Sequence, residues 1–131
     1  MGKPIRLQLS RRKGFDLQAV SIAANGLPAV NVARPSKWGN PWTVEGAVEA
    51  GYGSTPTCAR WCVSLYRQWL RGSPSSITTM LEGGEVRRAV ILRDMAHIRG
   101  KNLACWCRAG SPCHADILLE MANRPICEEV A

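Results

Sequence analysis

The segment CWCRAGSPCHAD gathers Cys105, Cys107, Cys113, His114 and Asp116 into one short stretch. Cys105 and Cys107 stand two apart at the end of an apolar run, so on an extended strand their thiols face the same side. Cys113 and His114 follow the turn RAGSP and open a segment of helical character. A thiol in the first turn of a helix meets unpaired N–H groups and the positive end of the helix dipole, which favours the thiolate. Two chemistries suit this set. As metal ligands, Cys105, Cys107, Cys113 and His114 make a Cys3His group of the type that holds zinc, although C-x-C followed by an adjacent Cys-His pair departs from the usual ligand spacings. Without metal, Cys105 or Cys113 supplies a nucleophilic thiolate, His114 a base, and Asp116 a group that orients the imidazole or shares the proton. The plain alternative is a strand packed on a helix through small buried side chains, since buried free cysteine is common. Asp116 is equally consistent with a favourable charge at a helix start.

A second chemical segment is ARPSKWGNPW. Arg34 and Lys37 offer positive charge, Ser36 and Asn40 hydrogen bonds, Trp38 and Trp42 flat aromatic faces, and Gly39 room for close backbone approach. Those are the parts of a nucleotide site, with Arg34, Lys37, Trp38 and Asn40 the substrate-binding candidates and Trp106 a further ring beside the cysteines. The competing reading is a rigid loop whose tryptophans plug the end of the core.

Both segments need strands and helices to place them. Residues 4–9, PIRLQL, alternate apolar and polar side chains as a half-buried strand does. Residues 19–23 and 28–33 are short apolar runs separated by Asn25-Gly26, a favoured turn pair, and are expected to form a hairpin or a tight strand-to-strand connection. Val32 then leads into the ARPSKWGNPW loop. Residues 57–71 put Cys58, Cys62, Leu65 and Trp69 on one helical face and Arg60, Arg67 and Arg71 on the other, which reads Cys58 and Cys62 as core rather than ligands. A second helix is expected over 85–98, with Val86, Ala89, Val90 and Ile91 among its buried candidates and His97 as a helix-end residue. NLACW reads as a buried strand and CHADILLEMANRP as a helix stopped by Pro125. The expected fold class is α/β: a small Rossmann-like single domain over 1–131, a short sheet with flanking helices. If the strands ending at Val32 and Leu103 run parallel and adjacent, both chemical segments lie at one sheet edge, where open α/β sheets bind ligands.

The composition fits a folded domain: of 131 residues, 46% are apolar and 21% charged, near globular averages, which excludes a fibrous repeat and bulk disorder. Six cysteines without a recognisable secretory leader are expected to be reduced, in a cytoplasmic protein with no membrane partner; Cys127 in the polar tail looks incidental. Seventeen Lys and Arg against ten Asp and Glu give +7, a field that attracts polyphosphates and makes nucleotide or nucleic acid the expected partner class, although many basic domains have no such partner.

The blocks RLQLSRRKG, VARPSKWGNPW, the helix around YRQWL, and RGKNLACWCRAGSPCHADILLEMA resemble the signature of domain-of-unknown-function family 4326, an uncharacterised bacterial and phage family, over nearly the whole chain. That resemblance implies no particular activity. The strand, cysteine turn and helix element is also similar to one in a second uncharacterised family with a Rossmann-like sheet. The residues point to an enzyme acting on a nucleotide, nucleobase or nucleic acid, by transfer or hydrolysis at a base or sugar. The rival is a zinc-stabilised nucleic-acid-binding or host-interaction module without catalysis.

Overall fold

A computed structural model describes residues 2–72 and 75–124, so Cys127 and the expected stop at Pro125 lie outside the described residues. The protein is a small mixed α/β domain built on three short parallel strands: β1 (Arg6–Gln8), β2 (Ala29–Asn31) and β3 (Asn102–Cys105), in the order β1-β3-β2. β3 is central. Leu7 pairs with Ala104 on one side of it, and Val30 with Leu103 on the other. All four of its residues are buried, as a parallel strand covered on both faces requires. Around the sheet lie α1 (Leu17–Asn25), α2 (Val44–Glu49), α3 (Thr55–Arg71), α4 (Ser76–Thr79), α5 (Gly84–Asp94) and α6 (His114–Ala122), with a 3-10 turn at Met95–His97. Among the described residues no helix is long and apolar enough to cross a membrane.

The hairpin expected around Asn25-Gly26 is replaced by α1. Asp16 caps the helix by accepting from the Ala19 N–H, and Gly26 closes it with a left-handed backbone (φ 79°) whose N–H donates to Ile22 O. Asn-Gly therefore serves as a helix end rather than a hairpin turn. The topology demands this, because β1 and β2 both pair parallel with β3, so the chain between them must cross over rather than turn back on itself. The apolar run that imitated a strand is largely on the surface: Val20 and Ile22 are 41% and 52% exposed, and Ser21 is the buried residue of the helix.

α3 forms as its pattern predicts. Ser54 caps it, Pro56 sits in its first turn, Gly72 ends it in the left-handed region, and Cys58, Cys62, Leu65, Tyr66, Trp69 and Leu70 fill one buried stripe. Tyr66, Leu70, Ile117 and Leu118 then meet Leu103 in the main core. Burying each such side chain stabilises the fold by roughly 1.5–3 kcal/mol. In α5 the expectation for Val86 fails. It is 71% exposed, whereas Ile91 and Asp94 are buried, so the helix presents a narrower apolar edge than its valines implied.

At the amino-terminal end of the sheet, fully buried Asn102 makes four hydrogen bonds. Its Nδ2 donates to Ser21 Oγ (2.7 Å) and Asn25 Oδ1 (2.7 Å), and its Oδ1 accepts from Ile5 N (3.0 Å) and Asn25 Nδ2 (2.9 Å). Ser21 Oγ donates in turn to Leu27 O at 2.6 Å. Two side-chain amides thus lock β1, α1 and β3 together with every polar atom of the Asn102 side chain used. Each buried group left unpaired costs about 1–3 kcal/mol. Asn102→Ala is therefore expected to lower unfolding stability by about 2–4 kcal/mol in urea titrations, whereas Val86→Ala, on exposed surface, should change it by less than about 0.5 kcal/mol.

Candidate functional site

Parallel β2 and β3 deliver the two chemical segments to the same sheet edge, since Val32 N donates to Ala104 O at 2.9 Å and the chain then diverges into the two loops. Cys105 ends β3 and is buried, with its Sγ 3.8 Å from that of half-buried Cys107. Cys107 lies two residues past the end of the strand, and the bend there keeps its thiol beside that of Cys105. Cys113 is the N-cap of α6, in extended backbone (φ −152°, ψ 141°), and is buried. Its Sγ, Cys105 Sγ and a ring nitrogen of His114 all lie within 4.8 Å of one another. Cys107 reaches Cys105 but stands outside that tighter group of three.

His114 is fixed by one bond. Its Nε2 lies 2.7 Å from Val32 O, and a carbonyl only accepts, so Nε2 carries the proton. Nδ1 is left with its lone pair, 3.9 Å from Cys113 Sγ. Burial lowers the imidazole pKa, against a smaller upward pull from the Val32 carbonyl, so the ring is neutral near pH 7. The ring of Tyr66 stands edge-on at 5.5 Å, and its hydroxyl donates to Trp38 O at 2.6 Å. Burial also pushes the Tyr66 phenol well above its ordinary range. The thiols share charge unequally. S–H donation from Cys107 and Cys113 draws Cys105 far down, and the resulting anion pushes those two up, so Cys105 is the first to ionise.

A cavity of about 240 Å³ lies beside the cluster, lined by Arg34, Asn40, Trp42 and Cys62 on one side and by Cys105, Trp106, Cys107, Cys113 and His114 on the other. Arg34 donates to Asn40 O at 3.0 Å and, among the described residues, has no carboxylate partner. Trp106 is 45% exposed and carries the Arg11 guanidinium over its ring at 4.8 Å. The remaining candidates are engaged within the protein itself. Lys37 pairs with buried Asp94, whose carboxyl is held well below the carboxylate range by Arg93 first and Lys37 second. Trp38 is buried in the core, as a plug rather than an open stacking face. Asn40 lines the cavity, but its Nδ2 donates to Cys62 O (3.0 Å) and its Oδ1 accepts from Trp42 N (3.0 Å), so it shapes the loop. Asp116 pairs with Arg6 at 3.1 Å; it is the Val32 carbonyl that orients His114.

Trp42, noted in the loop but not among the substrate-binding candidates, and Cys62, read as core, both line the cavity. Trp42 packs edge-on to Trp69 at 5.6 Å, and its place in WGNPW was the available signal. Cys58 and Cys62 are buried in a small cluster with Ala47, as the helical face implied, and desolvation raises the Cys62 pKa. His97 is exposed at the end of the 3-10 turn.

Residues 18–124 match the family model described as Domain of unknown function (DUF4326). The chain belongs to that family. No curated protein and no solved structure matches it. Within this DUF4326 chain the matched residues take in the arginine loop and the whole cysteine turn, while β1 precedes them.

The exposures rank the thiols for chemistry from solvent. In native, metal-free protein, Cys107 should alkylate with iodoacetamide at least tenfold faster than Cys58 or Cys62, which are 0% and 2% exposed, as read by peptide mass mapping. Equal rates would contradict the packing described.

Proposed function

We propose that this domain is an enzyme acting on a nucleotide-type ligand, a nucleotide, nucleobase or nucleic acid, in the cavity between the arginine loop and the cysteine turn. One observation carries the reading: Arg34, free of any carboxylate among the described residues, lines the same cavity as His114 and the thiols. A guanidinium facing a cavity recognises phosphate or another oxyanion through charge-assisted hydrogen bonds. The placement at the carboxyl ends of parallel strands is where Rossmann-like sheets take their ligands. The volume, about 240 Å³, falls below the roughly 300–1,000 Å³ of sites that enclose a drug-sized molecule, so the cavity suits one base or one sugar-phosphate with the rest of the ligand outside. Neutral His114, with its Nδ1 lone pair, supplies a base, and the neighbouring Cys105 thiol a nucleophile, for transfer or hydrolysis at the base or sugar.

A specific observation also favours zinc. Ligands in a tetrahedron with Zn–S bonds of about 2.3 Å stand about 3.8 Å apart, and Cys105 and Cys107 Sγ are separated by 3.8 Å. A metal-bound histidine also typically donates its other ring N–H to a carbonyl or carboxylate, as His114 does to Val32. Cys105, Cys113 and His114 would hold the ion, and Cys107 decides its character. With Cys107 bound, the site is closed and structural, as in a zinc-stabilised binding module; with Cys107 free, one position opens toward the cavity.

Elemental analysis of protein purified without chelator should give about one zinc per chain, and Cys113→Ser should lose it. Zinc retained in Cys107→Ser identifies the open arrangement; its loss from that variant identifies the closed one. For the ligand, Arg34→Ala should weaken mononucleotide binding by roughly 10–100-fold, the worth of a charged hydrogen bond. His114→Gln should abolish turnover with binding changed less than about threefold. Mononucleotide affinity that ignores Arg34→Ala would overturn the cavity assignment.

A further inference from the structure

Three parallel strands open three loops at one edge, and the loop after β1 is the most basic of them. It holds Arg11, Arg12 and Lys13 in succession, all exposed. The loop after β2 contributes Arg34, and the loop after β3 contributes exposed Trp106 and Arg108. Among the described residues none of these five cations lies within ion-pair distance of a carboxylate. The acids nearest in sequence to the first and third loops are committed elsewhere, Asp16 to capping α1 and Asp116 to Arg6. The loops are also physically joined: Leu9 N donates to Cys105 O at 2.9 Å, Arg11 covers the Trp106 ring, and Trp106 lines the cavity.

We propose that this rim binds single-stranded nucleic acid, and that the ligand of the cavity is one nucleotide unit of such a strand rather than a free nucleotide; the inference rests on the cavity reading above. Unpaired cations in a row attract a phosphodiester backbone, and binding releases its counterions. An exposed indole with a guanidinium over it offers a face on which a base stacks and a cation for the adjoining phosphate, the combination used by single-strand binders of no sequence preference. Duplex fits poorly, because its bases are already stacked and the cavity accepts a single unit, which must leave the stack to enter. The cavity volume of about 240 Å³ points the same way, since a polymer leaves the remainder of its chain on the rim.

The test is fluorescence anisotropy with a labelled oligouridylate of about twelve nucleotides, within the usual single-strand site sizes, across a salt series, with uridine monophosphate and a duplex of equal length as comparisons. The oligonucleotide should bind at least tenfold tighter than the monophosphate and than the duplex. The triple replacement R11A/R12A/K13A, all on exposed surface, should reduce the slope of log affinity against log salt by about 2, at about 0.7 for each phosphate no longer neutralised. Trp106→Ala should weaken binding by roughly 5–100-fold through the loss of base stacking. Circular dichroism confirms that each variant is folded. An oligonucleotide that binds no tighter than the monophosphate, or a triple variant with the parent salt slope, overturns the rim while leaving the cavity reading intact. Failure of the monophosphate and the oligonucleotide alike overturns both.

Discussion

The site depends on the hydrogen bond from His114 Nε2 to Val32 O, 2.7 Å long and buried. It joins the first residue of α6 to the residue that follows β2, and so closes the loop after β3 against the loop after β2. It also decides which ring nitrogen keeps its lone pair. With Nε2 protonated, Nδ1 faces Cys113 Sγ, and the imidazole has only one role open to it, as an acceptor or a metal ligand. A tautomer fixed by the main chain holds regardless of which side chains approach the cavity.

That bond requires β2 and β3 to lie in register, and β3 is itself anchored at the opposite end of the strands. Asn102 occupies the first position of β3, paired with Ala29, and its amide ties the strand to Ile5 and to α1. A polar residue in a buried parallel strand is unfavourable unless all its atoms are bonded. A one-residue slip of β3 would turn the Asn102 amide to the other face, away from Ile5, Ser21 and Asn25. The polar network at the amino-terminal end and the thiol–histidine cluster at the carboxyl end are therefore parts of one construction, separated by the length of β3.

Much of this was legible in the sequence because the signals were local. The α3 stripe, the β3 apolar run and the start of α6 at Cys113-His114 all follow from local periodicity and position. The juxtaposition of the two chemical loops was legible too, since strand-loop order in an α/β chain places successive loops at one edge. The failures have physical causes. Asn25-Gly26 suits a hairpin and a helix end equally, and only the parallel sheet decides between them. Lys37 and Trp38 belong to a motif of binding character, but burial of Asp94 in α5, distant in sequence, takes the lysine away, and the core takes the indole. Val86 looked apolar enough to bury, yet α5 touches the core mainly through Ile91.

Tyr66 gives the arrangement a mechanical property. Fully buried at the centre of α3, it presents its ring edge to His114 and its hydroxyl to the Trp38 carbonyl. The same rigid aromatic body thus braces the imidazole on one wall of the cavity and the backbone of the arginine loop on the other. Both walls therefore rest on one side chain. Any change in the size of that one side chain would act on both walls of the cavity at once.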